Sequence, residues 1–314
     1  MPNLNAHVRA DFSDHIHSFL EKKFLTRLVS ELVLNQFGMK KSVPAHGGTT
    51  IKWNRWVNPS ANTTALGDGV SPDGLTLTSE TVSATLDQYG QFAATSDELQ
   101  LIAINDTMED MADLLAYGAG LSLDSLVRNE LDANGTQRYA DAAANSTKPN
   151  VEAGTDKLRS DELKIVLKAM RVANVPTFED GLYRGIVHPL SEFDLLSETA
   201  ASTFVVLAAN FIGGAKEVAE KGNIGSAFGI KLLRSTNIRA DATSTNTYGN
   251  IFLGKDAFGC VDIMNAGLKT IVKPLGSAGT EDPLNQRATV GYKMFFVPKV
   301  LQALRAQIMW CYAA

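Results

Sequence analysis

The stretch Gly48–Pro59, GTTIKWNRWVNP, alternates as a strand does and sets two tryptophans beside two cations. From Thr50 to Val57 a period of two puts Ile51 and Trp53 on one face and Lys52, Asn54 and Trp56 on the other. Aromatics interleaved with Lys52 and Arg55 can grip a nucleic acid or a sugar, or pack a strand against another protein chain.

The flanking sequence narrows the choice. Asn58–Gly74, NPSANTTALGDGVSPDG, is rich in turn residues and includes Asp68. Leu75 to about Ala94 is threonine- and valine-rich with the same alternation, and reads as one return strand. Together these form a long hairpin, which is marginal alone and needs something to lie against.

Upstream, residues 12–37 carry apolar positions at helical spacing (Ile16, Phe19, Leu20, Phe24, Leu28, Leu32) and end at Gly38. Met39–Gly48 reads as a breaker-rich joint containing Gly47 and Gly48. Downstream, Ser96 is an N-cap with Asp97 and Glu98 in the first turn. A helical pattern then runs to Gly135, with Asn105-Asp106 as a candidate break. Residues 132–157 read as a polar linker. A compact α/β unit follows: a helix from Ser160, a strand in LYRGIVHP, a short helix in LSEFDLLSE, and strands in IKLLRSTNI and NIFLGKDAFGCVDIM. RATVGYKMFFVP and LQALRAQIMWCY close the chain as β-like runs.

Composition excludes several classes. The 314 residues carry a net charge of −5 and no run of lysines and arginines, whereas a dedicated nucleic-acid binder shows a basic stripe. No apolar run approaches the roughly 18 residues of a membrane span, and the start lacks the pattern of a secretory signal. Cys260 and Cys311 have no paired spacing and read as free structural thiols of a reduced compartment.

The sequence offers no catalytic or metal motif. His15 and His17 are two apart in a helical pattern and face away from each other; His188, before Pro189, reads as a hydrogen-bonded structural histidine. No zinc, calcium, phosphate-loop or nucleophile-elbow pattern occurs, so neither cofactor nor metal is expected.

The order of elements, together with specific stretches, resembles the major capsid proteins of tailed bacteriophages, of the N-four type within the Hong Kong 97 fold. The stretches are GTTIKWNRW (48–56), LDQYGQFAATSDE (86–98), GIVHPLSEFDLL (185–196), GKDAFG (254–259) and GSAGTEDPLNQRATVGYK (276–293). The last is the longest and most specific. The resemblance implies an α+β chain divided into an N-terminal arm (1–45), an E-loop hairpin (46–95), a P-domain with a long spine helix (96–159), an α/β A-domain (160–279) and returning P-domain strands (280–314).

It implies further a structural protein, not an enzyme, that self-assembles as pentamers and hexamers into the icosahedral head of a virion built in the host cytoplasm. Double-stranded DNA is enclosed without specific binding; a separate scaffolding protein, a portal and a decoration protein are the other implied partners. On an E-loop, Trp53, Arg55, Trp56 and Asp68 would face a neighbouring subunit, Arg55 pairing with a carboxylate across the interface. The other reading of Trp53 packs it on its own spine helix. Such shells mature from round to angular, and Gly47, Gly48, Asn105 and Asp106 are the candidate hinges. Three rival readings stand beside this one: an encapsulin-like bacterial nanocompartment, an α/β enzyme with a pocket in 160–275, and a sugar-binding module using Trp53 and Trp56.

Overall fold

The computed structural model describes residues 24, 27, 33–43, 48–65, 69, 71, 74–102, 107–141, 151, 156–197, 225–240, 246–263, 268–277 and 282–313. Of the candidate residues, Gly47, Asp68, Asn105 and Asp106 lie outside them, as do the N-terminal histidines and most of the 12–37 helical pattern.

Two sheets share one long helix. The first is five-stranded. β1 (Met39–Val43) runs parallel to β10 (Phe258–Ile263), and β12 (Arg287–Val300) pairs antiparallel with β10, with β11 (Leu268–Lys273) and with β4 (Asp87–Ser96). β12 alternates apart from the buried Gly291: Ala288, Val290, Tyr292, Met294, Phe296 and Val300 point inward and are buried. The second sheet has six strands in the order β5 (Thr136–Tyr139), β13 (Ala306–Tyr312), β9 (Thr247–Leu253), β6 (Tyr183–Val187), β8 (Ile230–Arg234), β7 (Ser226–Ala227).

Between the sheets runs α2 (Thr107–Asn134), 28 residues and about 42 Å long. It buries Ala112, Leu115, Ala116, Ala119, Leu123, Val127 and Leu131, near-regular three- and four-residue steps that make one stripe. That stripe meets the inner row of β12 on one side, and Ile251, Ile308 and Trp310 of the second sheet on the other, in a single core. A second core packs α3 (Ser160–Val172) and Leu195 of α4 (Pro189–Leu196) on the far face of the six-stranded sheet. No helix among the described residues is long and apolar enough to cross a membrane.

Ser96 accepts from the Leu99 amide at 3.2 Å, as an N-cap does, and starts α1 (Asp97–Ile102). His188 does the same for α4: its Nδ1 accepts from the Leu190 amide at 3.3 Å, while its ring stacks on Tyr248 with 4.0 Å between centroids. Burial lowers the imidazole pKa below its ordinary value. Cys260 and Cys311 are buried thiols that form no disulfide.

The structure corrects the sequence reading in four places. The joint at Met39–Gly48 begins as strand β1; Thr136–Tyr139, inside the expected linker, is strand β5; and Leu268–Lys273 is a strand the pattern did not announce. The expected single return strand is two, β3 (Ser79–Thr85) and β4, with Leu86 at the break. The covered positions change phase at the break, from Val82, Ala84 and Leu86 to Tyr89, Ala93 and Thr95, as the partner changes: Thr85 pairs with Thr50, Asp87 with Phe296. The interval 160–279 also serves both sheets, giving β10 and β11 to the first, while β13 returns to pair with β9 of the second.

Candidate assembly interface

β2 (Thr50–Trp56) and β3 pair antiparallel over seven residues, Thr50 with Thr85 through Trp56 with Ser79, as a two-stranded sheet of their own. The root of this hairpin is fixed to its own subunit. Ile51, Trp53, Ala84 and Leu86 form a cluster with Val43 and Val261, and Val297 packs against it. These contacts lie on the outer face of the five-stranded sheet, opposite α2, because Val297 belongs to the odd-numbered row of β12. Trp53 keeps 8% of its surface exposed and lies over Gly259, where a Cβ would come within 2.8 Å of the indole. The absent side chain at 259 is therefore what admits the ring. Both earlier readings of Trp53 are revised by this seat, since it packs on its own chain, and on the sheet instead of the helix.

Arg55 pairs with Glu80 directly across the hairpin. Thr81 Oγ1 donates to Asn54 Oδ1 at 3.1 Å, and Lys41 Nζ donates to the Lys52 carbonyl at 2.8 Å. These exposed contacts set register more than stability.

Beyond the root the hairpin changes character. Trp56 is 67% exposed, and Val57, Leu75 and Leu77 are exposed with it. None of the described residues of the subunit covers their apolar surface. Gly48, at the entry to β2, has φ +83° with no atom within 4 Å of where a Cβ would stand. The residue needs glycine for its backbone conformation, and the chain there is free of packing constraint.

A second anchorage was invisible in sequence. Asp124, in the middle of α2 and 1% exposed, accepts from three consecutive amides: Val33 at 2.8 Å, Leu34 at 3.2 Å and Asn35 at 3.3 Å. Burial holds its carboxyl above the usual carboxylate range, against the pull of the three N–H groups. Leu34 and Phe24 are fully buried beside it, so the end of the N-terminal stretch is tied to the long helix by charge and by packing. An aspartate in a helix is usually a solvated one, and spacing carried no sign of this role.

Two concave spaces lie among the described residues. A groove of about 590 Å³ under the hairpin is lined by Lys41, Trp53, Arg55, Glu80, Asp256 and Arg305, among others, with no histidine or cysteine. A cleft of about 350 Å³ beside Tyr117, Pro189, Arg234 and Asn237 holds no carboxylate. Among the described residues no group of three or more histidine, cysteine or acidic side chains could hold a metal.

Residues 79–307 match the family model described as phage capsid protein. No curated protein matches the chain. Solved structures similar to it include the capsid of Ralstonia phage GP4 (16% identity, 90% of this chain and 88% of that one, TM-score 0.69). The capsid of cyanophage P-SCSP1u is similar too (15%, 90% and 88%, TM-score 0.66), as is a virus-like particle from Pyrococcus furiosus (10%, 94% and 99%, TM-score 0.53). The family match spans most of the chain, and these folds run nearly from end to end of it. The chain therefore belongs to the phage capsid protein family, and is a structural major capsid protein of the Hong Kong 97 fold.

Proposed function

We infer that this chain closes into an icosahedral shell of pentamers and hexamers in the host cytoplasm, its hairpin lapping a neighbouring subunit. The observation that carries this is the contrast along the hairpin: a root buried on its own sheet, then an outer part with Trp56, Val57, Leu75 and Leu77 uncovered. Covering Trp56 alone buries up to roughly 200 Å², worth about 5 kcal/mol before ordering costs. Each contact can be modest, because closure multiplies contacts around every ring.

In that shell residues 1–45 form the N-terminal arm, 46–95 the E-loop, 96–159 with 280–314 the P-domain and 160–279 the A-domain, the last two sharing strands. Asp68 belongs to the lapping stretch and faces the neighbour. Gly47 and Gly48 are the pivot of the loop, supported by the unconstrained positive φ at Gly48; Asn105 and Asp106 are the pivot at the head of the spine helix. Equal hydrogen-exchange protection at both places before and after shell expansion would remove them as hinges.

The role is mechanical and not catalytic. Duplex DNA is held by enclosure, which a net charge of −5 favours by weakening adhesion to the wall. A separate scaffolding protein, a portal and a decoration protein complete the particle. Light scattering with negative-stain microscopy, with and without candidate scaffold, tests this reading. Shells, or rings convertible to shells, support it, and a monomer or dimer that never assembles rejects it. The contents of the shell, DNA or a cargo enzyme, separate a phage head from a nanocompartment.

A further inference from the structure

We propose that the cleft where the N-terminal stretch, α2 and the start of α4 meet is a binding site for a phosphate group. The site is separate from the hairpin and does not depend on how subunits lap one another.

The cleft has a volume of about 350 Å³ and is lined by Val33, Tyr117, Pro189 and Arg234–Asn237, among others. Its chemistry is one-sided. Arg234, Thr236 and Tyr117 bring N–H and O–H donors, and no lining residue is a carboxylate. Arg234 Nε reaches Glu192 at 3.5 Å, yet its side chain stays 53% exposed, and its terminal amino groups make no hydrogen bond among the described residues. Pro189 opens α4, so the first turn of that helix adds its positive end to the wall.

Behind the wall the surplus of donors continues. Asn237 Oδ1 accepts from Arg128 Nη1 at 2.8 Å and from Ser125 Oγ at 3.2 Å, which fixes the amide. The buried Nδ2 at its other end has no partner among the described residues. Arg128 donates to Asn237 and Asn129 and forms no ion pair among the described residues. Asp124, one turn before it on α2, is taken up by the Val33–Asn35 amides, and Asp132, one turn after it, pairs with Arg239 at 2.8 Å. Burial, and then the neighbouring Arg239, lower the Arg128 pKa, as expected of a cation short of negative charge.

A tetrahedral oxyanion accepts from a guanidinium fork, a hydroxyl and an amide together, which chloride does not. In this cleft it also bridges elements. Val33 belongs to the stretch held by Asp124, and Asn237 to the segment held by Arg128, so a bound phosphate braces both on the same part of α2.

The test is a titration of inorganic phosphate into the full-length unassembled chain at constant ionic strength, with chloride as the control. Phosphate should raise the melting temperature saturably and slow hydrogen exchange at residues 33–37 and 234–238. Asn237→Asp keeps an acceptor for Arg128 and replaces the Nδ2 donor with a carboxylate oxygen. It should weaken phosphate at least about tenfold, and Arg234→Gln should do the same. Line broadening in phosphorus NMR reads binding without relying on stability, so a variant that merely folds less well is told apart from one that has lost the site. Phosphate no better than chloride, or equally effective on the wild type and on Asn237→Asp, is a general salt effect and overturns the proposal. Competition by a short DNA duplex makes nucleic acid the source of the group, and its failure assigns the cleft to free phosphate; the site stands in both cases.

Discussion

Trp53 and Trp56 stand three residues apart on one strand, in opposite surroundings. Trp53 is seated on Gly259 inside its own subunit, and Trp56 is bare. The same division runs through the whole molecule: Asp124 and the core residues around it hold the N-terminal stretch within the subunit, while Phe92, Leu75 and Leu77 are left outward. An inward anchor fixes where an arm leaves the body, and an outward patch decides what the arm meets. Substitutions at the two kinds of position should therefore separate folding from assembly.

The largest effect on folding is expected at the inward tryptophan. Trp53→Ala empties the hairpin root and should cost the unassembled subunit about 4 kcal/mol in urea unfolding. If it costs under about 1 kcal/mol, the root is not an anchor and the division fails at its centre.

Asp124→Ala comes next, at about 3 kcal/mol, because three amides lose a buried acceptor at once. Asp124→Asn keeps one acceptor oxygen and should lose less. Protease digestion should find the N-terminal stretch more accessible in the alanine variant, and equal accessibility would break the link between carboxylate and arm.

A smaller, pH-dependent effect belongs to His188. Burial holds its folded pKa below the ordinary 6.5, so the unfolded chain takes up the proton first. Stability is therefore full above 6.5, falls as pH drops below it, and levels off under the folded value. Protonation also removes the Nδ1 acceptor from the start of α4. His188→Asn keeps an acceptor at that place and should flatten the slope in thermal melts across this window.

The smallest folding effect is the sharpest test of the comparison. Trp56→Ala should leave subunit stability within about 0.5 kcal/mol while shell yield collapses. A variant that assembles normally would make Trp56 an idle surface residue.

The sequence by itself settled which elements exist where local chemistry is strong. The long helical stripe, the Ser96 cap, the short helix in LSEFDLLSE and the alternation of Arg287–Val300 each repeat a period or a capping pattern that needs no distant partner. Their order and the five motif stretches carried the fold class as well. Tertiary structure alone decided everything that depends on what a periodic face meets. β1, β5 and β11 are short, with few buried residues, and become strands only because β10, β13 and β12 offer them an edge. Leu86 divides the return run because the partner changes there from β2 to β12. Period two says that Ile51 and Trp53 share a face. That this face rests on Gly259 and Val261, some two hundred residues away, follows from close packing, which no local pattern records.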